Sequence, residues 1–212
     1  MSFGKMLLVV LGILAALALI IGLAVSGIFN RLVTLEQGTD AAWAQVQNVY
    51  QRRADLVPNL VNTVKGAANF ERSTLNDITN ARASVGRVQL SADKAPTDPQ
   101  KFAEFERAQG QLGSALSRLL VVSERYPDLK ATAAFRDLQA QLEGTENRIS
   151  VERGRFNEAV QAYNTAIKRF PAVLFAGMFG HTPRPYFTAT AGAETAPKVD
   201  FDFESKVEPK KS

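Results

Sequence analysis

The 212-residue sequence contains no cysteine and a single histidine, His181. The first absence removes disulfides, thiolate metal sites, cysteine nucleophiles and lipid attachment at an N-terminal cysteine. The second removes any site that needs two imidazoles, the HExxH zinc site included. The net charge of +4 comes from interspersed Lys, Arg, Asp and Glu, with no basic block that would track a phosphate backbone. Convincing strand patterns are missing too, and with them the strand–loop–helix setting of a phosphate-binding glycine loop. No Glu-x-x-His pair occurs on any helical stretch, which argues against di-iron chemistry. The expectation is a chain that is not an enzyme and has no cofactor, no resident metal and no nucleic-acid partner.

What the sequence does have begins at its N-terminus. Residues 6–29 carry no charge and are bracketed by Lys5 and Arg31. As a helix this run spans about 36 Å, enough for a hydrocarbon core of about 30 Å with some tilt. The apolar region of a cleaved signal peptide is shorter, about 7–15 residues. Ala24-Val25-Ser26 before Gly27 is nonetheless a passable cleavage site. Lys5 lies on one side of the run and Arg31 on the other, so charge alone leaves the orientation nearly tied.

Beyond Asn30, prolines punctuate a helical pattern. A first helix from near Asn30 carries Val46, Tyr50, Val57, Leu60 and Val64 at three-four spacing, with Pro58 expected to kink or restart it and Gly66 near its end. A second covers about 70–90 and buries Leu75, Ile78 and Ala81. A third follows Asp98-Pro99, a capping residue and a first-turn proline, with Phe102, Phe105, Leu112, Leu116 and Leu119 as its stripe. After the Tyr126-Pro127-Asp128 turn, Phe135, Leu142, Ile149, Phe156, Tyr163 and Ile167 mark a long last helix ending at Phe170-Pro171.

The predicted fold class is all-α: an N-terminal transmembrane helix (residues 1–29) and an up-and-down antiparallel four-helix bundle, coiled-coil-like, over 30–171, with long first and last helices. Alternating directions return the last helix to the membrane. There it delivers a short apolar segment, 172–181, whose Val173, Leu174, Phe175, Met178 and Phe179 are candidate membrane-interface residues. Residues 182–212 read as an extended or disordered tail, although Tyr186-Phe187-Thr188 and Val199-Asp200-Phe201-Asp202-Phe203 alternate. His181 reads as a solvent-exposed loop histidine, and Trp43 as a core or interface aromatic.

Three stretches resemble the LemA family of bacterial membrane-anchored proteins. The first is Ala42-Trp43 with Arg52-Arg53-Ala54-Asp55-Leu56-Val57-Pro58-Asn59-Leu60-Val61. The second runs from Tyr126-Pro127-Asp128-Leu129-Lys130 to Leu142-Glu143-Gly144-Thr145-Glu146-Asn147-Arg148-Ile149. The third joins Tyr163-Asn164, Phe170-Pro171 and Pro185-Tyr186-Phe187. The resemblance covers the chain from the anchor to about Phe203. It implies a single-pass protein of the bacterial inner membrane with a helical bundle on the cytoplasmic side, and it implies no reaction.

Polar residues cluster at two places in these motifs. Arg53, Asp55 and Asn59 surround Pro58, and Glu143, Glu146, Asn147, Arg148 and Arg153 lie midway along the last helix. Glu143 and Glu146, three apart, share a helix face. The structural reading is a paired polar network that fixes helix register. The alternatives are an interaction surface or a carboxylate metal site. The functional expectation is a membrane-anchored scaffold or interaction module, with the lipid bilayer, other membrane proteins and a second copy of the chain as partners. A membrane-shaping oligomer is the alternative.

Overall fold

The computed structural model describes residues 3–66, 70–88, 90–91 and 93–188. It is all-α, and no strand occurs among the described residues. Helix α1 spans Phe3–Lys65, α2 Arg72–Arg87, α3 Pro99–Ser123, α4 Pro127–Ala131, α5 Ala133–Lys168 and α6 Val173–Ala176.

The first helix differs from the sequence reading. Anchor and first body helix form one 63-residue helix that runs through both Asn30 and Pro58. Nothing at the end of the apolar run breaks it, because residues 27–40 contain no proline and no cap is needed where the helix continues. Pro58 does lack the N–H that would bond to the Ala54 carbonyl four residues back. That carbonyl is satisfied from another helix: Arg82 Nε on α2 donates to it at 3.1 Å. Residues 3–24 of α1 are exposed throughout, whereas its buried positions start at Leu32. Among the described residues α1 is the one helix long and apolar enough to cross a membrane.

The other boundaries follow local chemistry. The Asp98 carboxylate accepts from the N–H groups of Gln100 and Lys101, and Pro99 opens α3. Thr132 separates α4 from α5 by capping the latter, its hydroxyl accepting from Phe135 N at 3.3 Å. The last long helix therefore starts at Ala133 and ends at Lys168, slightly before Phe170-Pro171.

Helices α1 and α5 lie side by side and run in opposite directions, since Leu32 packs with Tyr163 and Ile167, Trp43 with Phe156, and Arg53 with Glu146. From Asn30 to Lys65, α1 extends about 54 Å, as does α5 over its 36 residues. Helices α2 and α3 form a second pair, joined by Asp77–Arg118 and Glu71–Arg125 ion pairs. This pair covers the α1–α5 pair over its middle and distal parts. One apolar cluster there gathers Val57, Leu60, Ile78, Leu112, Leu119 and Phe135. The next is aromatic, built on Trp43, Phe102, Phe105, Phe156 and Phe187. The third, at the anchor end, brings α1, α5 and α6 together.

One expectation about the C-terminal part needs correction. The extended stretch 181–188 is packed into the body, with His181, Arg184 and Phe187 all buried. His181 is 6% exposed, where a solvated loop residue was expected. Gly180 at φ 77 makes the turn into this stretch, a conformation glycine adopts without steric cost, and His181 N bonds back to Ala176 O. The alternating Val199-Asp200-Phe201-Asp202-Phe203 lies outside the described residues.

Candidate functional site

A cleft of about 880 Å³ lies between α3 and α5, lined among others by Tyr50, Arg53, Glu106, Gly113, Leu142 and Glu146. Its floor is set by α1. The buried stripe of that helix runs Trp43, Val46, Tyr50, Arg53, Val57, Leu60 and Val64, with gaps alternating three and four. Arg53 thus occupies a core position by helical geometry, and only 3% of it is exposed. A buried guanidinium must be paired. Its Nη2 donates to Gln109 O at 2.9 Å and to Gln109 Oε1 at 2.6 Å, and Nη1 donates to Glu146 Oε2 at 3.0 Å. The Tyr50 ring lies beneath the guanidinium, 5.0 Å from its carbon. Burial pushes the Tyr50 hydroxyl's pKa above its ordinary value.

At one end of the cleft, Arg153 Nη2 meets Glu106 Oε1 at 3.5 Å and donates to Thr188 O at 3.0 Å. Its guanidinium covers the Phe187 ring at 4.6 Å. Glu106 is partly withdrawn from water, which raises its carboxyl pKa against the opposing pull of the Thr188 N–H and Arg153.

The eight polar residues singled out in the sequence do not form one network. Arg53 and Glu146 meet, and Arg153 stands at the same cleft with other partners. Asp55, Asn59, Glu143, Asn147 and Arg148 are exposed. Asp55 accepts from Gln51 at 2.7 Å and Glu143 from Gln139 at 3.0 Å, both one turn away on their own helices. Helical rotation explains the split, because each residue turns the chain by about 100°. Asp55, two residues after Arg53, therefore points away from the core that Arg53 enters. Glu143 and Glu146 share a face, but it is the solvent-facing side of the seam. Among the described residues no group of three or more His, Asp or Glu is arranged to hold a metal ion.

Sequence reading missed Glu106 and Gln109, which stand on α3 without a motif around them. It also missed a polar cluster at the anchor end. There Glu36 on α1 accepts from Arg184 Nη2 and faces His181 Nδ1 at 3.0 Å. Arg184 Nη1 also donates to Ala95 O at 2.6 Å, and Asp40 Oδ1 accepts from Ala95 N at 2.8 Å. The Tyr163 hydroxyl lies 3.3 Å from His181 Nδ1, and burial raises its pKa. Two asparagines on α5 hold the 181–188 stretch. Asn164 pairs with the N–H and C=O of Arg184 at 2.9 and 2.8 Å, and Asn157 pairs with those of Phe187, both at 2.9 Å. Seven residues apart, the two lie two turns apart on one helix face. That spacing, with the motif that joins Tyr163-Asn164 to Pro185-Tyr186-Phe187, is the signal the sequence held for this dock.

The candidate membrane-interface residues do come together with the end of the apolar run. Phe179 packs edge-on to Phe29 with ring centroids 5.1 Å apart, and Phe175 stacks on Phe179 at 6.4 Å. Val173, Leu174 and Met178 are exposed beside them.

An exposed apolar helix continuing into an all-α body, with mixed-charge polar clusters, fits the class of membrane-associated helical proteins. The LemA family profile matches residues 42–201, and the chain belongs to the LemA family. It is similar to magnetosome protein MamQ 2 of Paramagnetospirillum magneticum, 26% identical over 203 residues, covering 89% of this chain and 74% of that protein. Magnetosome protein MamQ of Magnetospirillum gryphiswaldense is 25% identical over 182 residues, 79% of this chain and 67% of the relative. Protein LemA of Metamycoplasma hominis is 25% identical over 141 residues, 66% of this chain and 60% of that protein.

Proposed function

We propose that the chain is a non-enzymatic, membrane-anchored scaffold that binds other membrane proteins, or a second copy of itself, through a helical body held at a bacterial inner membrane. The body is read as an up-and-down four-helix bundle of α1, α2, α3 and α5. The observation that carries the reading is the continuity of α1. The helix that is exposed and apolar over residues 3–24 is the same helix that supplies Trp43, Val57 and Leu60 to the core. A body joined to its anchor by an unbroken helix has a defined orientation to the bilayer, as a docking platform requires. The α3–α5 cleft offers the interaction surface, and the relatives named as magnetosome proteins accord with a role at a membrane.

The test is site-specific photocrosslinking in native membranes. A crosslinker at Ser117, on the cleft, should give discrete adducts that a crosslinker at Ser84, on α2, does not. Monomer alone from both positions would overturn the reading. The cytoplasmic placement of the body is tested by labelling Ser84→Cys in intact cells with a membrane-impermeant maleimide, which should leave it unmodified.

A second reading, a lipid-organising oligomer, is favoured by the exposed apolar side chains that follow α5. Liposomes that keep their shape at high protein density would remove it.

A further inference from the structure

Outside the N-terminal apolar run, exposed large apolar side chains are concentrated in one place. Phe170 is 80%, Val173 49%, Leu174 62% and Met178 76% exposed, and all four lie within nine residues. Elsewhere beyond that run, only Val121, Val151 and Tyr186 share this exposure among the described residues. A concentration of this kind marks a surface that is covered in use.

Its position in the fold identifies the cover. Phe179 rests on Phe29, the last residue of the uncharged run, and Ala176 packs in one cluster with Leu32 and Ile167. Helix α6 therefore sits beside the point where α1 changes from apolar to polar. The charges agree with that level. Arg31, Lys168 and Arg169 are exposed around the patch. Residues 1–35 and 159–193 contain no Asp or Glu, so no carboxylate from either stretch opposes these cations. The first acid in α1 is Glu36, and it is engaged by His181 and Arg184.

The patch is also held firmly. The Glu36 contacts tie the chain on its C-terminal side to α1, and the end of α5 fixes it on the other. Ordering a rigid apolar surface before it meets its partner leaves little conformational entropy to lose on contact.

We propose that residues 170–179 form a second bilayer contact, inserting Phe170, Val173, Leu174 and Met178 at the boundary of head groups and acyl chains of an anionic leaflet. Lys168, Arg169 and Arg31 meet the lipid phosphates. This rests on residues 6–29 being the membrane span. Apolar side chains flanked by cations suit that boundary, where buried apolar area and attraction to anionic lipid add together. Two attachments, a span and an adjacent interfacial turn, stop the body from swivelling about the α1 axis. A second copy of the chain is the other possible cover, but continuity with the span and the cationic rim favour lipid.

The absence of native cysteine makes the experiment direct. Nitroxides are placed singly at Leu174→Cys, at Leu14→Cys in the span and at Val151→Cys on α5. The full-length protein is reconstituted in phosphatidylcholine vesicles with and without phosphatidylglycerol. Collisions with oxygen, which partitions into lipid, are compared with collisions with a water-soluble nickel chelate.

The expected result is an oxygen-favoured signal at Leu174, shallower than Leu14 and clearly distinct from the aqueous Val151. Phosphatidylglycerol should deepen it, and combined Lys168→Gln and Arg169→Gln substitutions should abolish that deepening. An aqueous Leu174 with a deep Leu14 overturns the second contact and leaves the span standing. An aqueous Leu14 overturns the span and this proposal together. A Leu174 label shielded from both reagents, and released when protein is diluted in lipid, assigns the patch to a second copy and overturns the lipid contact.

Discussion

Arg82 donates its Nε to the Ala54 carbonyl at 3.1 Å, the acceptor that Pro58 leaves without its helical partner. A residue on α2 thereby satisfies the acceptor that a proline inside α1 leaves open. Ala54 is buried, so the carbonyl has no ready access to water, and an unsatisfied buried acceptor costs about 1–3 kcal/mol. Arg82→Ala should destabilise the body by that order. Pro58→Ala restores the missing N–H, so the cost of Arg82→Ala should shrink in that background. A double-mutant cycle of denaturant unfolding reads the coupling. Additive losses would mean the two residues act independently.

Arg53 and Asp55 should behave in opposite ways. Removing the Arg53 guanidinium, as in Arg53→Met, leaves the neutral Gln109 without its donor in the interior and should cost about 1–3 kcal/mol. Asp55 is exposed and accepts from Gln51 one turn away, so Asp55→Ala should change stability by about 0.5 kcal/mol or less. Chemical unfolding of the two variants side by side settles the ranking.

The 181–188 stretch should depend on its two asparagines. Asn164→Ala unpairs both polar groups of Arg184 in a buried setting, whereas Asn157 is only half-buried. Asn164→Ala should cost about 1–2 kcal/mol, more than Asn157→Ala. It should also speed limited chymotryptic cleavage after Tyr186 or Phe187. Equal cleavage rates in wild type and variant would show that the stretch is held by other contacts.

Glu106 gives a pH dependence with a definite sign. Its folded-state pKa is raised by partial burial, so between its ordinary value and that raised value the folded chain binds more protons than the unfolded one. Stability contributed through this group therefore falls as pH rises across that window. Glu106→Gln should remove that component, so the melting temperature of the variant relative to wild type should rise with pH across that window and level off above it. A pH-independent difference would show the carboxyl to be ordinarily solvated.

Removing residues 1–27 should leave a cooperatively folding helical body, because the buried positions of α1 start at Leu32. Circular dichroism dominated by coil would show that the apolar segment is required for folding.

Most of the long helices were legible in the sequence, although the short α4 was not. The three-four stripes at Trp43–Val64 and Phe135–Ile167, the Asp98-Pro99 helix start and the uncharged run 6–29 each depend on a residue and its neighbours within a few turns. Periodicity and capping are local, so local order records them. The sequence also led to the expectation of a short apolar segment, 172–181, near the end of the apolar run, because helices of alternating direction return the chain toward its starting level; in the structure Phe179 of that segment rests on Phe29.

The tertiary structure decided whatever depends on partners distant in the chain. The carbonyl that Pro58 frees in α1 finds its donor in Arg82, a residue from the next helix. The fate of His181 and Arg184 turned on Glu36, well over a hundred positions earlier, and on two asparagines that pair with peptide groups no pattern announces. Which polar residues of the motif become buried was also decided there. Arg53 and Asp55 are two positions apart in sequence, and only the approach of α3 and α5 to one face of α1 makes the first a core residue and leaves the second in water. Burial and pairing are properties of a three-dimensional neighbourhood, and a linear pattern specifies that neighbourhood only after the helices have packed.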